Sequence, residues 1–343
     1  MSLYLGLLLF SFILTSLSLI PFINFLYRVK LTHRTDTSGL TRENTTASRL
    51  LHRLHSWKAG VPIGGGLLII AACGVLFTAV FWAISKAGVV TTSIFPIQDE
   101  LNVIFFTFFS FAMLGLFDDI SKIFPSSSLL TLSRQTKFLL LFIFSVIASS
   151  LLYFNLGLST INFPFFGPFD LGWVYLPLST IIIFLFSAGY DFTDGLDGLA
   201  AGVLFVGLLA FWIVSATTLD TVLSTFISIW LGALLAFLYF NVYPARIWLG
   251  NAGSLSFGAT LAVIGLMLGK VIALVIIGSF FLAEIGSSLV QYLSLKLFNR
   301  RVFPITPIHH WLQIAGWPEP KITMRSWLLT IMLSVLGLWL TQI

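Results

Sequence analysis

Two short runs of acidic residues stand at the edges of long apolar segments in this chain. One run is Asp118-Asp119, and the other holds Asp191, Asp194 and Asp197 at intervals of three residues. An ionised carboxylate close to lipid is costly, so such groups usually mark a functional site. Because paired carboxylates can bind Mg²⁺ or divide between metal binding and proton transfer, both runs are candidates for catalysis.

The second run would place its three carboxylates roughly on one face if the segment were helical. Like charges so arranged repel each other, so a cation or hydrogen-bond donors of a substrate must compensate them. The run also contains Gly195 and Gly198, and glycine lets a backbone approach a ligand closely. These features disfavour a purely structural role.

Further runs carry groups suited to phosphate. Lys58 precedes a glycine-rich stretch, Lys137 follows the first acidic run, and Asn251 opens an apolar segment within Gly-Asn-Ala-Gly-Ser. A lysine supplies a point charge for phosphate, and a helix N-terminus favours anions. The pair His309-His310 could donate hydrogen bonds to a pyrophosphate or anchor the chain at the membrane interface. Glycine-rich runs are also common as helix starts and capping turns, so each signal alone is weak.

Membrane helices must position these groups, because the chain is 58% hydrophobic and only 9% charged, with a mean hydropathy of +1.01. This composition indicates a polytopic membrane protein. Lipid allows only helices or closed barrels, and long apolar runs without alternation favour helices. We predict an all-α fold in a single integral membrane domain over residues 1–343. About ten transmembrane helices of roughly 20 residues are expected, at about 2–27, 61–85, 102–117, 138–156, 173–190, 199–216, 222–240, 254–269, 271–292 and 326–342.

The basic residues predict an orientation in the membrane. With ten spans, 16 of the 18 lysines and arginines fall in the odd-numbered connections, and only Lys86 and Lys270 fall on the other face. The positive-inside rule then places these connections in the cytoplasm and both termini outside. The acidic runs, the lysines and the histidine pair share the cytoplasmic face, so an active site is expected there. On the outer side, an aromatic stretch with turn residues over 162–169 is expected to form a hairpin.

The groups on this face suit Mg²⁺-assisted phosphoryl transfer, in which metal and cations spread the developing negative charge. A site at the membrane implies that one substrate is a lipid. The basic surface is interpreted as a determinant of topology that contacts anionic lipids and attracts an anionic substrate. No nucleic-acid partner is expected.

Longer motifs surround these residues in the second to fifth predicted cytoplasmic connections. They are Asp118-Asp119, Leu132-Ser133-Arg134-Gln135-Thr136-Lys137, Thr193-Asp194-Gly195-Leu196-Asp197-Gly198-Leu199, Phe240-Asn241-Val242-Tyr243-Pro244-Ala245, Pro307-Ile308-His309-His310 and Gly316-Trp317-Pro318-Glu319. Together they resemble the polyprenyl-phosphate N-acetylhexosamine-1-phosphate transferases over nearly the whole length. The last two motifs narrow the resemblance to the bacterial phospho-N-acetylmuramoyl-pentapeptide transferases.

The resemblance implies that undecaprenyl phosphate attacks the β-phosphorus of UDP-N-acetylmuramoyl-pentapeptide and displaces UMP. The product would be the first lipid-linked peptidoglycan precursor. Mg²⁺ as the cofactor, the bacterial inner (plasma) membrane as the location, and a homodimer are implied as well. Whether the reaction passes through an aspartyl-phosphate stays open.

The same resemblance implies roles for individual residues. Asp118 would bind or deprotonate the lipid phosphate, and Trp248 would stack near the uracil. The implied catalytic residues are Asp118, Asp119, Asp194 and His309, and the implied substrate-binding residues are Lys58, Lys137, Asp197, Asn241, Trp248 and His310.

The chain departs from the family pattern at the predicted metal site. The family has aspartate where this chain has Asn251 and asparagine where it has Asp191. Because the number of carboxylates is preserved, we hypothesise that Asp191 takes over part of the metal binding from Asn251, whose amide oxygen is a weaker ligand. The predicted metal ligands are therefore Asp194, Asp191 and Asn251. Other departures are Ile63, Ala188 and Trp311.

Several other functions stay open at this point. A sister transferase that uses UDP-N-acetylglucosamine would share the same core. A divergent inactive homologue, or a non-catalytic lipid-binding protein, fits if Asn251 abolishes metal binding. A secondary transporter would carry its ionisable groups mid-span with pseudo-repeats, whereas here only Glu284 lies within a predicted span.

Overall fold

A computed structural model of the chain describes residues 2–32, 50, 54–55, 58–88, 91–123 and 132–342. The basic residues Arg34, Arg42, Arg49 and Arg53, which entered the orientation argument, lie outside these ranges. The helices are α1 (Ser2–Val29), α2 (Gly65–Lys86), α3 (Ile97–Ile123), α4 (Arg134–Phe154), α5 (Tyr175–Thr193), α6 (Leu199–Thr217), α7 (Thr221–Asn241), α8 (Asn251–Met267), α9 (Val271–Ile277), α10 (Ser279–Phe298), α11 (Ile308–Ile314) and α12 (Glu319–Thr341).

The predicted all-α polytopic architecture is confirmed. Within the described residues, eight helices are long and apolar enough to cross a membrane, and the bent pair α9–α10 supplies a ninth candidate span. The predicted eighth segment corresponds to α8, which is apolar but has only 17 residues. The described residues therefore contain eight or nine candidate spans where the sequence predicted about ten, because α8 is shorter than a typical span.

The ninth predicted segment is broken rather than straight. Its two helices meet at an angle of 71° next to Gly278. A Cβ atom at this glycine would lie 2.2 Å from the ring of Phe186, so the close approach of α5 requires a residue without a side chain.

The connection between α4 and α5, which the sequence predicts on the outer side, forms the expected hairpin. Strand β1 (Thr160–Phe163) pairs antiparallel with β2 (Gly167–Asp170), with Phe163 opposite Gly167 next to the turn. The location of both termini on the outer side stays a prediction.

Helix α8 lies in the centre of the bundle and is buried all round from Ala252 to Met267. Helices α3 and α5 pack against it, and α7 packs against α1. Aromatic rings fill the middle, where Phe108, Trp230 and Phe257 lie with centroids 5.1–5.9 Å apart. Because α8 is surrounded, its N-terminus at Asn251 meets the ends of α3 and α5.

Two local expectations about the acidic runs are corrected. Helix α3 continues to Ile123, so Asp118 and Asp119 lie in its last turns and not in a loop. Helix α5 ends at Thr193, which puts Asp197 in the following turn. The three aspartates of the second run therefore do not share one helical face.

Candidate active site

The site begins with Asp119, which caps the N-terminus of α8. Its two carboxylate oxygens accept hydrogen bonds from the backbone amides of Asn251, at 3.0 Å, and Ala252, at 3.1 Å. The first amides of a helix lack intrahelical partners and carry a partial positive charge, so a carboxylate stabilises them. A Cβ at Gly115 would lie 2.0 Å from the Asn251 carbonyl oxygen, so α3 can approach this closely only at a glycine.

Beside this cap lies an open cluster, which we define as Lys137, Asp118, Asp191, Ser254 and Asn251. The Lys137 ammonium lies 2.9 Å from Asp118 Oδ2 and 2.8 Å from Asp191 Oδ2. Ser254 Oγ donates to Asp191 Oδ1 at 2.9 Å. The side-chain nitrogen Nδ2 of Asn251 donates a hydrogen bond to Asp118 Oδ2. Side chains from α3, α4, α5 and α8 thus form one network.

The open cluster borders a pocket of about 400 Å³. Phe138 and Phe192 add apolar surface to it, and Arg134 adds a second cation. The lining residues are Asp118, Leu132, Arg134, Lys137, Phe138, Asp191 and Phe192. A polar floor with two cations and apolar walls suits an anionic group carried on a hydrophobic chain.

A second network, the sealed cluster, is formed by Lys58, Asp197 and Glu319. Lys58 Nζ donates to Asp197 Oδ1 at 2.9 Å and to Glu319 Oε1 at 2.5 Å. The backbone amide of Asp197 also donates to Glu319 Oε1, at 2.6 Å. The side chains of Lys58 and Asp197 are 1% exposed, so these charges compensate one another away from water.

The sealed cluster also holds the connection between α7 and α8. Asp197 accepts hydrogen bonds from the Ala245 amide at 2.9 Å and from Trp248 Nε1 at 3.2 Å. Asn241 Oδ1 accepts from the Gly198 amide at 3.1 Å, and its amide group donates to the Ile247 carbonyl at 2.9 Å. The Lys58 ammonium lies 5.3 Å from the centroid of the Trp248 ring.

Asp194 lies next to the end of α5, between the two clusters. Among the described residues, no group donates a hydrogen bond to its carboxylate. Burial, followed by the charges of Asp191, Asp119 and Asp197, raises the pKa of Asp194 to about 7. A carboxylate surrounded by like charges is a position where a cation would be stabilising.

The histidine pair lies in the short helix α11. His309 is buried, with Nδ1 3.2 Å from Glu284 Oε2 of α10, and the two histidine ring centroids are 4.2 Å apart. His310 Nδ1 contacts Gln313 Oε1 at 3.0 Å, and His55 contacts the same oxygen at 3.1 Å. Burial, and then the charge of Lys58, lowers the pKa of His309 to about 3. The pair is therefore neutral near pH 7.

The donor set fits a hard divalent cation such as Mg²⁺, which prefers oxygen ligands. Asp194 offers a carboxylate without a hydrogen-bond donor, and Asp191 lies close enough to raise its pKa. The side-chain nitrogen of Asn251 instead donates a hydrogen bond to Asp118. In this arrangement the Asn251 side chain binds another residue and does not act as a metal ligand. Within the described residues, no group of three or more His, Cys, Asp or Glu side chains is arranged as a complete metal site.

All predicted site residues thus lie at one end of the helical bundle. They belong to the two clusters, the α8 cap, the histidine pair and the connection between α7 and α8, and Asp194 lies between the clusters. Sequence analysis missed the roles of Ser254, Gln313 and His55, and it did not pair Glu319 with Lys58. Glu319 stood in a quoted motif, but nothing in the sequence linked it to a lysine 261 residues away.

Comparison with known proteins gives a consistent result. The model of a family described as glycosyl transferase family 4 matches residues 101–269. The chain is 31% identical over 338 residues to the phospho-N-acetylmuramoyl-pentapeptide-transferase of Halalkalibacterium halodurans, covering 97% of this chain and 96% of the relative. It is 34% identical to the Campylobacter curvus protein of that name, over 84% and 83% of the two chains. It is 35% identical to the Clostridium novyi protein of that name, over 82% of this chain and 83% of the relative.

Proposed function

This chain belongs to the phospho-N-acetylmuramoyl-pentapeptide transferase family, and from that premise we propose its reaction. A polyprenyl phosphate, undecaprenyl phosphate in bacteria, attacks the β-phosphorus of UDP-N-acetylmuramoyl-pentapeptide. The phosphorus forms a bond to the lipid phosphate oxygen, its bond to the bridging oxygen breaks, and UMP leaves. The product is a lipid pyrophosphate that carries the sugar and peptide.

The observation that carries the proposal is the open cluster beside its pocket. Lys137 lies between Asp118 and Asp191, each within 3 Å, on the floor of a cavity of about 400 Å³. Phosphoryl transfer needs positioned cations and an acceptor for a proton more than it needs covalent chemistry. Such a floor offers both.

In this proposal, Lys137 binds the phosphates and Asp118 acts on the lipid phosphate. The carboxylate of Asp118 takes up the proton of the singly ionised form, so that the attacking oxygen carries its full charge. Asp119 acts as a positioning residue, since both its oxygens hold the amides of α8. The cap keeps Asn251 beside Asp118.

Lys58, Asp197, Asn241 and Trp248 then act mainly by holding the connection between α7 and α8. Their hydrogen bonds to one another and to backbone groups support this role. The nucleotide would bind against the surface that this connection forms, with Trp248 next to the base.

Asp194 and Asp191, with Asn251 close by, are the proposed Mg²⁺ ligands. When bound, the ion would neutralise negative charge on the phosphates during transfer. Asp194 supports this assignment because its carboxylate lies among like charges without a donor in the described part of the chain.

We further propose that the site faces the cytoplasm and that both termini face outward, in a bacterial plasma membrane. Impermeant maleimide on intact cells tests this in a Cys73→Ser background, since Cys73 is the one cysteine of the sequence. Lys296→Cys should be protected and Gly88→Cys should react. The reverse pattern contradicts the orientation. A homodimer, expected from the resemblance, is tested by the mass of the purified protein in nanodiscs.

The reaction is tested by release of UMP from UDP-N-acetylmuramoyl-pentapeptide by the purified protein. Release should require both polyprenyl phosphate and Mg²⁺. UDP-N-acetylglucosamine, offered in parallel, should give none. Release from the second nucleotide alone identifies the sister reaction, and release from neither identifies an inactive homologue.

A further inference from the structure

Gln313 joins two histidines that are far apart in the sequence. Its side-chain oxygen lies 3.0 Å from His310 Nδ1 and 3.1 Å from His55 Nε2. The rings of His55 and His310 meet edge to face, with centroids 5.5 Å apart. Gln313 itself is buried, so these contacts are held within the protein.

The shared oxygen fixes which nitrogen of His310 carries hydrogen. An amide oxygen only accepts hydrogen bonds, so the nitrogen that contacts it must donate. A neutral imidazole has one N–H group, and its position is set by the hydrogen bond that it makes. With Nδ1 as the donor, His310 Nε2 carries a lone pair and no hydrogen.

The surroundings of His310 keep the ring neutral. The charged and titratable groups that face it are His309, His55 and Lys58. Burial, and then His309, lowers the pKa of His310 well below its ordinary value. A positively charged His310 is therefore disfavoured at neutral pH.

The free nitrogen is available to a ligand. Within the described residues, Nε2 of His310 has no hydrogen-bond partner, and the ring is only half-buried. The Cε1 atom of His310, which joins Nδ1 to Nε2, lies near Gly195, the residue that follows Asp194. The imidazole ring of His310 thus borders the site of the proposed reaction.

We propose that Gln313 is a positioning residue that holds His310 as the Nδ1–H tautomer, so that Nε2 accepts a hydrogen bond from the sugar nucleotide. The inference rests on the proposed function. An unprotonated nitrogen repels the lone pairs of a phosphate, so His310 does not bind the pyrophosphate as the sequence suggested. It selects instead a hydroxyl or amide N–H group, both of which an N-acetylated sugar carries.

Nitrogen-15 spectroscopy of histidine-labelled protein tests the tautomer without any substrate. The His310 signals, identified by their loss in His310→Gln, should report protonated Nδ1 and unprotonated Nε2 at pH 7.5. Gln313→Leu should convert them to a mixture of tautomers. The matched control is Gln291→Leu, because the oxygen of Gln291 also accepts two hydrogen bonds, but from the backbone amides of Val302 and Phe303 and not from a histidine. Protonated Nε2 in the parent protein, or unchanged signals in Gln313→Leu, overturns the proposal.

Kinetics test the consequence for substrate binding. Gln313→Leu should raise KM for UDP-N-acetylmuramoyl-pentapeptide about two- to fivefold, because only the molecules in the Nδ1–H tautomer bind the substrate well, with kcat and KM for the lipid nearly unchanged. Gln313→Glu should restore KM, because a carboxylate accepts the same two hydrogen bonds. A loss confined to kcat, or no rescue by glutamate, contradicts the positioning role. If the parent protein releases no UMP, the proposed function fails, and the spectra still decide the tautomer.

Discussion

The two lysine clusters contain the same charged groups and differ in their access to solvent. Each places one lysine between two carboxylates at distances of 2.5–2.9 Å. In the sealed cluster Lys58 and Asp197 are 1% exposed and Glu319 is 7% exposed. In the open cluster Asp118 is 6% exposed, Lys137 is 11% exposed and Asp191 is 18% exposed. The sealed cluster thus holds chain segments together where water is excluded. The open cluster has the same arrangement of charge but adjoins a pocket, so it can bind a ligand.

The difference in exposure also changes what each lysine contributes. Removing one partner of a buried ion pair leaves an uncompensated charge in a medium of low polarity, which is strongly destabilising. A partly exposed carboxylate can instead recover water, a proton or a cation. We therefore expect the sealed cluster to control stability and the open cluster to control activity.

The largest effect is expected for Lys58→Met. This change keeps the volume but leaves Asp197 and Glu319 unpaired, which should lower the free energy of unfolding by about 3–5 kcal/mol and abolish activity. Thermal unfolding in detergent measures the loss. Lys321→Met, at an exposed position, is the matched control. An unaltered unfolding midpoint for Lys58→Met would remove the distinction between the clusters.

Lys137→Met should separate activity from stability. We expect kcat to fall about 10²–10³-fold, the typical effect of removing one electrostatic contact to the transition state, with an unfolding midpoint close to that of the parent. UMP release and thermal unfolding are measured on the same preparation, with Lys296→Met as the exposed control. A midpoint as low as that of Lys58→Met would show that the open cluster is structural too.

Asp191→Asn sharpens the comparison by asking whether the open cluster holds the metal. Loss of a carboxylate ligand should raise the Mg²⁺ concentration for half-maximal activity about tenfold or more. Asp170→Asn is the control, because it makes the same change in an exposed carboxylate of strand β2. A Mg²⁺ midpoint equal to that of the parent would exclude Asp191 as a ligand.

The smallest effect concerns pH and the histidines that adjoin the sealed cluster. Burial and Lys58 lower the pKa of His309 to about 3 and that of His55 to about 4. Between these values and the ordinary histidine pKa of about 6.5, the unfolded chain binds protons that the folded protein does not. Stability is therefore complete above pH 6.5 and falls as the pH drops toward 4.

Thermal midpoints between pH 7.5 and 5 measure this slope. His309→Gln should flatten it, because glutamine does not titrate. An equal slope in the parent and the variant would mean that His309 is not held neutral by its surroundings.

The sequence predicted the elements of the fold better than the connections between them. Long apolar runs identified the helices, and turn residues among aromatics identified the β1–β2 hairpin, because both signals are local. The end of α3 was misplaced, since Asp118 and Asp119 break the apolar pattern although the helix continues to Ile123. Their charge is compensated by Lys137 and by the α8 amides, which a local pattern does not reveal.

The candidate site could be predicted as a set of residue types but not as two clusters. Spacing suggested that Asp191 and Asp197 share a face, yet one joins Lys137 and the other joins Lys58. Helix α5 ends at Thr193, and the chain changes direction between Asp191 and Asp197. Which lysine meets which carboxylate depends on contacts across the whole bundle, so it follows only from the packed structure.

Lys58 has a further consequence for the biogenesis of the protein. The carboxylates of Asp197 and Glu319, which accept its hydrogen bonds, follow it by 139 and 261 residues. Throughout translation, this ammonium must stay hydrated or find temporary counter-ions until the final helix emerges from the ribosome. A nascent chain that stops before Glu319 would contain nearly every helix and still lack the closing contact. Premature termination there would yield an incompletely assembled species for the cell's quality-control proteases.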